Sequence, residues 1–225
     1  MKRRLQASES FPVAALLSLS GGLMDAYSYL YRDKVFANAQ TGNMLLFGVN
    51  LSTGNFPEAL RYLVPVLAFA LGIALAELVR HRFKGNGRIH WRQAALAIEM
   101  LCLAAAAFFP QSLNLIANSL ISFACGAQLE GFRKVNGSGI ATTMCIGNLR
   151  ASIQAFCDFG FAKNKGALKS GLLYLSIISL FVVGAVLGNL CVSLFKEFAI
   201  LACLPFLGAA FLLMLNNEEQ DIPSP

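Results

Sequence analysis

Six stretches of this sequence are almost free of charge, and each comes close to the ~20 residues that a helix needs to cross the hydrocarbon of a bilayer. They are Phe11–Tyr31, Tyr62–Val79, Ala94–Phe109, Leu113–Phe132, Leu172–Leu194 and Phe198–Leu215. Lipid offers no partner to backbone N–H and C=O groups, so stretches of this kind fold as helices. The basic residues are gathered into islands between them: Lys2-Arg3-Arg4, Arg32 and Lys34, Arg80 to Arg92, Arg133-Lys134, and Lys163 to Lys169. Only 13% of the 225 residues are charged, against about 25% in a soluble domain. That excludes an ordinary cytosolic globule. The net charge of +6 does not point to nucleic acid either, because the basic residues flank apolar runs and do not line one face among aromatic platforms.

Two further stretches are intermediate in polarity, Val35–Ser52 and Ile140–Phe159. If both cross there are eight spans; if both dip in and return there are six. The positive-inside rule arbitrates. With six spans and the N-terminus inside, fourteen basic residues face the cytoplasm and four (Arg32, Lys34, Arg61 and Lys196) face outward. The best eight-span split is ten against seven, with Arg150 left in the membrane. Six spans is therefore the expectation.

Self-similarity sharpens it. A shift of 105 places Gly21 on Gly126, Asp25 on Glu130, Gly42 on Gly147 and Asn43 on Asn148, and a shift of 112 places Gly72 and Ala76 on Gly184 and Gly188. The expected organisation is a first repeat over 1–110, a second over 111–215, and a polar, disordered tail over 216–225. An odd number of spans per repeat turns the second copy upside down. Because the first segment recurs in mid-chain, we read Phe11–Tyr31 as a retained span, although the basic triplet before it has the outline of a signal peptide. The fold class expected is all-α: an integral membrane bundle of about six helices, built as two three-helix repeats, each carrying a short broken or re-entrant Gly-Asn helix.

Candidate chemistry lies in the polar residues inside the apolar stretches. An unpaired Asp25 within a span costs about 2.5–3.5 kcal/mol even on the lenient insertion scale. Its nearest candidate partners are Asn38, Gln40, Thr41 and Asn43. Gly42 and Gly147 permit backbone breaks, which are tolerated at membrane depth only where protein or a water-filled cavity surrounds them. Glu99 lies among Ala, Ile, Met and Leu and must face the bundle interior. Arg150 directly follows Gly147-Asn148-Leu149 and either binds an anion or snorkels to the headgroups. Glu130 stands three residues before Arg133, a spacing that suits a surface ion pair. Cys102, Cys125, Cys145, Cys157, Cys191 and Cys203 show no CxxC or metal-ligand spacing and read as packing residues. His81 and His90 complete no site. No catalytic residue, metal ligand or cofactor is expected.

The stretch Ser20-Gly21-Gly22-Leu23-Met24-Asp25-Ala26 with Ala39-Gln40-Thr41-Gly42-Asn43-Met44, and then Gly126-Ala127-Gln128 with Ala141-Thr142-Thr143 and Gly147-Asn148-Leu149, resembles the YoaK family of bacterial membrane proteins. The resemblance covers nearly the whole chain. It implies a multi-spanning inner-membrane protein without an established substrate. The second motif departs from the pattern, with Ile146 where a threonine would answer Thr41 and Leu129 where a polar residue is usual.

Paired broken helices in two halves point to a transporter's binding region. The expected function is a small secondary transporter or permease for a small polar solute, with the proton as a candidate coupling ion. Asp25 and Asn43 would form an outer half-site, and Glu99, Asn148 and Arg150 an inner one. The expected setting is the bacterial inner membrane with both termini cytoplasmic; the expected partners are the lipid bilayer, the solute or proton and, as an option, further copies of the chain. The alternative is a non-transporting membrane scaffold whose polar residues only hold broken helices together.

Overall fold

The computed structural model describes residues 7–83 and 91–217. The Lys2-Arg3-Arg4 triplet, His90 and the acidic end 218–225 lie outside them. Among the described residues eight α-helices follow in order: α1 (Phe11–Tyr31), α2 (Gln40–Ser52), α3 (Phe56–Phe83), α4 (Trp91–Ala107), α5 (Asn114–Gly131), α6 (Cys145–Ala162), α7 (Lys165–Phe195) and α8 (Cys203–Asn217). A 3-10 turn, Lys196–Ala202, joins α7 to α8. Among the described residues, extended structure is confined to Lys134–Val135 and Ser138–Gly139, paired across Asn136-Gly137. Both of those central residues have positive φ, 49° and 81°, as a tight hairpin turn matched to strand twist requires.

Three helical stretches, Phe56–Arg82, Gln111–Gly131 and Lys165–Leu215, are long and apolar enough to cross a membrane by length and composition. Their outer faces carry large exposed aliphatic side chains, among them Leu67, Leu71, Leu78, Val182, Val186 and Leu190. The interior holds Asp25, Arg32, Asn38, Asn43, Glu99, Asn118 and Gln128, all nearly or wholly inaccessible. Apolar outside and polar inside suits lipid as the solvent. The chain is a helical membrane protein.

Glycine decides how the helices meet. A Cβ on Gly22 would fall on the Phe181 carbonyl, and one on Gly184 on the Leu19 carbonyl, so α1 and α7 touch backbone to backbone. Gly72 and Gly126 repeat this arrangement between α3 and α5, against the carbonyls of Phe123 and Phe69. Close approach through small residues is the usual way helices associate where lipid removes the hydrophobic drive between them. Within each pair the helices run parallel: Ala14 packs near Ile177 and Gly188 near Ala26 along α1 and α7. Helix α5 runs antiparallel to α1, with Gln128 at Leu17 and Asn114 at Arg32.

These directions sort the two ends of the bundle. One end gathers the starts of α1, α4 and α7 and the ends of α3 and α5, and with them Arg80, Arg82, Arg92, Arg133, Lys134, Lys163, Lys165 and Lys169. The opposite end has Arg32, Lys34, Arg61 and Lys196.

Candidate functional site

Beyond Tyr31 the chain reverses through Asp33 and Lys34, both at positive φ (62° and 60°). It then descends along α1 until Asn38 is level with Gly21 and Asp25. The Asn38 backbone N–H donates to Asp25 Oδ1 at 2.7 Å, and its side-chain amide donates to the Gly21 carbonyl at 3.2 Å. A backbone N–H just ahead of a helix N-terminus favours an anion, so Asp25 anchors the approach to α2. From here α2 runs back to the end it came from, and the tight Thr53–Asn55 turn leads into α3.

The loop is closed by two amide side chains. Asn43 is fully buried; it donates to the Phe36 carbonyl and to Gln40 Oε1, both at 2.8 Å, and accepts from Phe36 N at 3.0 Å. Gln40 Nε2 donates to the Ala37 carbonyl at 2.7 Å and reaches Ser122 Oγ of α5 at 3.5 Å. Gly42 leaves room for the Phe36 ring, whose nearest atoms lie 2.9 Å from where its Cβ would be. Thr41 is exposed, outside this network.

The second break is a looser copy. After the hairpin, Ala141–Met144 lead into α6, and Asn148 Nδ2 donates to the Ala141 carbonyl at 2.7 Å, across the same seven residues that separate Asn43 from Phe36. Thr143 is buried, its Cγ2 2.5 Å from where a Gly21 Cβ would stand. Thr142 is buried as well, and its hydroxyl has no partner among the described residues. Gly147 has open space around it, and Ile146 and Arg150 are exposed. The structure therefore brings Asp25, Asn38, Gln40, Gly42 and Asn43 together, holds Asn148 in the second break, and leaves Thr41, Gly147 and Arg150 on the outer surface.

Glu99 stands apart, in the middle of α4. It is completely buried, and neither carboxylate oxygen has a hydrogen-bond partner among the described residues. Glu130 pairs with Arg133 at 3.1 Å, as its spacing suggested.

Sequence reasoning missed Arg32, placing it on an outer loop. It is the largest fully buried side chain. Its guanidinium donates to the carbonyls of Ala106 (2.9 Å) and Phe109 (2.8 Å), to Asn114 Oδ1 (2.9 Å) and to the Tyr27 hydroxyl (2.9 Å). It thus caps the C-terminal end of α4, where orphan carbonyls and the helix dipole favour a cation, and it also stacks on the rings of Tyr27 and Tyr31. Those tyrosines bond onward to the Glu197 carbonyl and carboxylate, both at 2.9 Å. The available signal was its place seven residues after Asp25, on the same helical face.

With this geometry in view, the comparisons with known proteins are decisive on family. The family described as "Protein of unknown function (DUF1275)" matches residues 13–213. The chain belongs to that family. The chain is also similar to the UPF0700 transmembrane protein YoaK of Bacillus subtilis (strain 168), 28% identical over 198 residues, covering 83% of this chain and 85% of the relative. The matched DUF1275 region includes both breaks, Glu99 and Arg32. No solved structure matches.

Proposed function

We propose that this DUF1275 protein is a small secondary carrier for a polar solute in the bacterial inner membrane. In this reading it crosses six times, through α1, α3, α4, α5, α7 and α8, while α2 and α6 enter from opposite faces and return. The end rich in Arg and Lys is cytoplasmic, which puts both termini there. The halves are inverted copies. Gly22 answers to Gly126 and Gly184 to Gly72, since each pair makes the same backbone contact. That register sets Leu129, and not Glu130, opposite Asp25, so the first break alone keeps an acid.

The observation that carries this reading is made at Gly21. The first break reaches it through Asn38, which bonds its carbonyl, and the second through Thr143, which fills the space of its missing Cβ. Two interrupted elements that come from opposite ends and meet on one residue are the arrangement expected of an alternating-access site. The paired helices α1–α7 and α3–α5 supply two bodies that can rock about that point.

One observation favours the scaffold alternative: the Asp25 carboxylate already accepts a hydrogen bond from the Asn38 backbone N–H. Transport assays separate the two. Proteoliposomes of the purified protein, loaded with a pH-sensitive dye and offered a panel of amino acids, sugars and amines in turn, are expected to change internal pH with at least one of them. A scaffold would match protein-free vesicles across the whole panel.

A further inference from the structure

We infer that Glu99, and not Asp25, is the residue that takes up and gives back the proton during transport; the inference rests on the carrier reading above. Two buried acids lie in the bundle, and their surroundings differ. Asp25 accepts the Asn38 N–H at 2.7 Å just ahead of α2, so a change of protonation there would weaken a contact that holds the first break.

Glu99 has no such duty. Its side chain is 0% exposed and both its oxygens lack a hydrogen bond among the described residues. On its own helix, one turn to either side, stand Leu96 and Leu103, both fully buried. Among the described residues, the ionisable groups that interact electrostatically with it are the thiols of Cys102 in α4, Cys125 in α5 and Cys203 in α8. The Lys196–Ala202 turn contributes the buried Ala199 and Ile200. With no cation or donor beside it among the described residues, an anionic carboxylate held this way is strongly disfavoured. A proton relieves that cost, whereas a hard metal cation needs a cage of oxygen ligands, which thiols and leucines do not supply.

The route inferred for the proton runs past buried polar atoms nearby. Cys203 Sγ lies 3.8 Å from the Ser20 carbonyl, and the Ser20 hydroxyl and Gln128 Oε1 are buried without partners among the described residues. Buried polar atoms of this kind are the usual seats of internal water, and Ser20 adjoins Gly21, where the breaks meet. In the step itself the carboxylate accepts one proton from water on one face and returns it on the other, with no change of electrons.

Infrared spectroscopy of the purified protein tests this. The band of an un-ionised carboxylic acid is expected at neutral pH, present in the wild type and in Asp25→Asn, and lost in Glu99→Gln. Labelling the wild type with glutamate carrying 13C at the side-chain carboxyl should shift the band without any substitution. A band that survives Glu99→Gln, stays unmoved by labelled glutamate, or vanishes in Asp25→Asn would overturn the assignment. In the dye-loaded vesicles, Glu99→Gln should abolish solute-dependent proton movement. If it does not while the wild type transports, Glu99 is dismissed and the carrier survives. If the wild type moves no proton with any solute, the carrier reading fails, and the infrared band still decides where the buried proton sits.

Discussion

Arg32 and Asn114 hold each other from the ends of two antiparallel helices. Arg32 Nη1 donates to Asn114 Oδ1 at 2.9 Å, and one turn further along α5 Asn118 Nδ2 donates to the Arg32 carbonyl at 2.7 Å. The same guanidinium closes the end of α4. Three helix ends therefore share one side chain.

Arg32→Ala should accordingly be among the most destabilising substitutions in the chain, by about 3–5 kcal/mol, because it leaves buried carbonyls and an amide unpartnered. Arg32→Lys should recover only part of that, since a point charge cannot span a fork of acceptors. Chemical unfolding in detergent, followed by tryptophan fluorescence or circular dichroism, measures both.

The glycines at the helix crossings are predicted to divide into two groups. Gly22→Ala, Gly72→Ala, Gly126→Ala and Gly184→Ala each drive a methyl into a facing carbonyl and should each destabilise by about 1–3 kcal/mol or more. Gly48→Ala and Gly147→Ala meet nothing within 4 Å and should be neutral or stabilising by up to about 1 kcal/mol, through helix propensity. Thermal shift in one detergent, compared across the six variants, is the readout.

Asn43 and Asn148 occupy matching places but make different numbers of bonds. Asn43→Ala removes three hydrogen bonds around Phe36 and Gln40, whereas Asn148→Ala removes one. The first should cost more than the second, with about 1–3 kcal/mol for each buried group left unpaired. Equal losses would mean that the first break does not depend on this closure.

Sidedness is predicted by the re-entrant reading. In a cysteine-free background, Thr53→Cys in the α2–α3 turn should react with a membrane-impermeant maleimide from outside intact cells, and Lys165→Cys at the start of α7 only in inside-out vesicles. Labelling of both from one side would mean that α6 crosses fully, and labelling with the two sides exchanged that α2 does.

Much of the helical layout was legible because hydropathy acts over whole segments. Phe11–Tyr31 coincides with α1, and Leu113–Phe132 differs from α5 by one residue at either end. The start of α2 was harder: Val35–Ser52 reads as one intermediate stretch, yet its first residues form the loop that Asp25 and Asn43 tie down, and the helix begins only at Gln40. The partner of Asp25 is the Asn38 backbone N–H, which no side-chain pattern reveals. Thr41 shows the limit from the other direction, since a hydroxyl beside Gly-Asn looks like a ligand until helical phase turns it outward. Arg32 shares a helical face with Asp25, but its burial depends on acceptors from α4 and α5, and nothing near it in sequence announces those.

The glycine contacts also bear on biogenesis. The groove of α1 at Gly22 is shaped for a backbone in α7, which leaves the ribosome only after most of the chain has been made. Until then acyl tails or an insertase must occupy that groove. A nascent chain halted before α7 would therefore present an unmatched seam to the membrane, and quality-control proteases that survey the bilayer would meet it there.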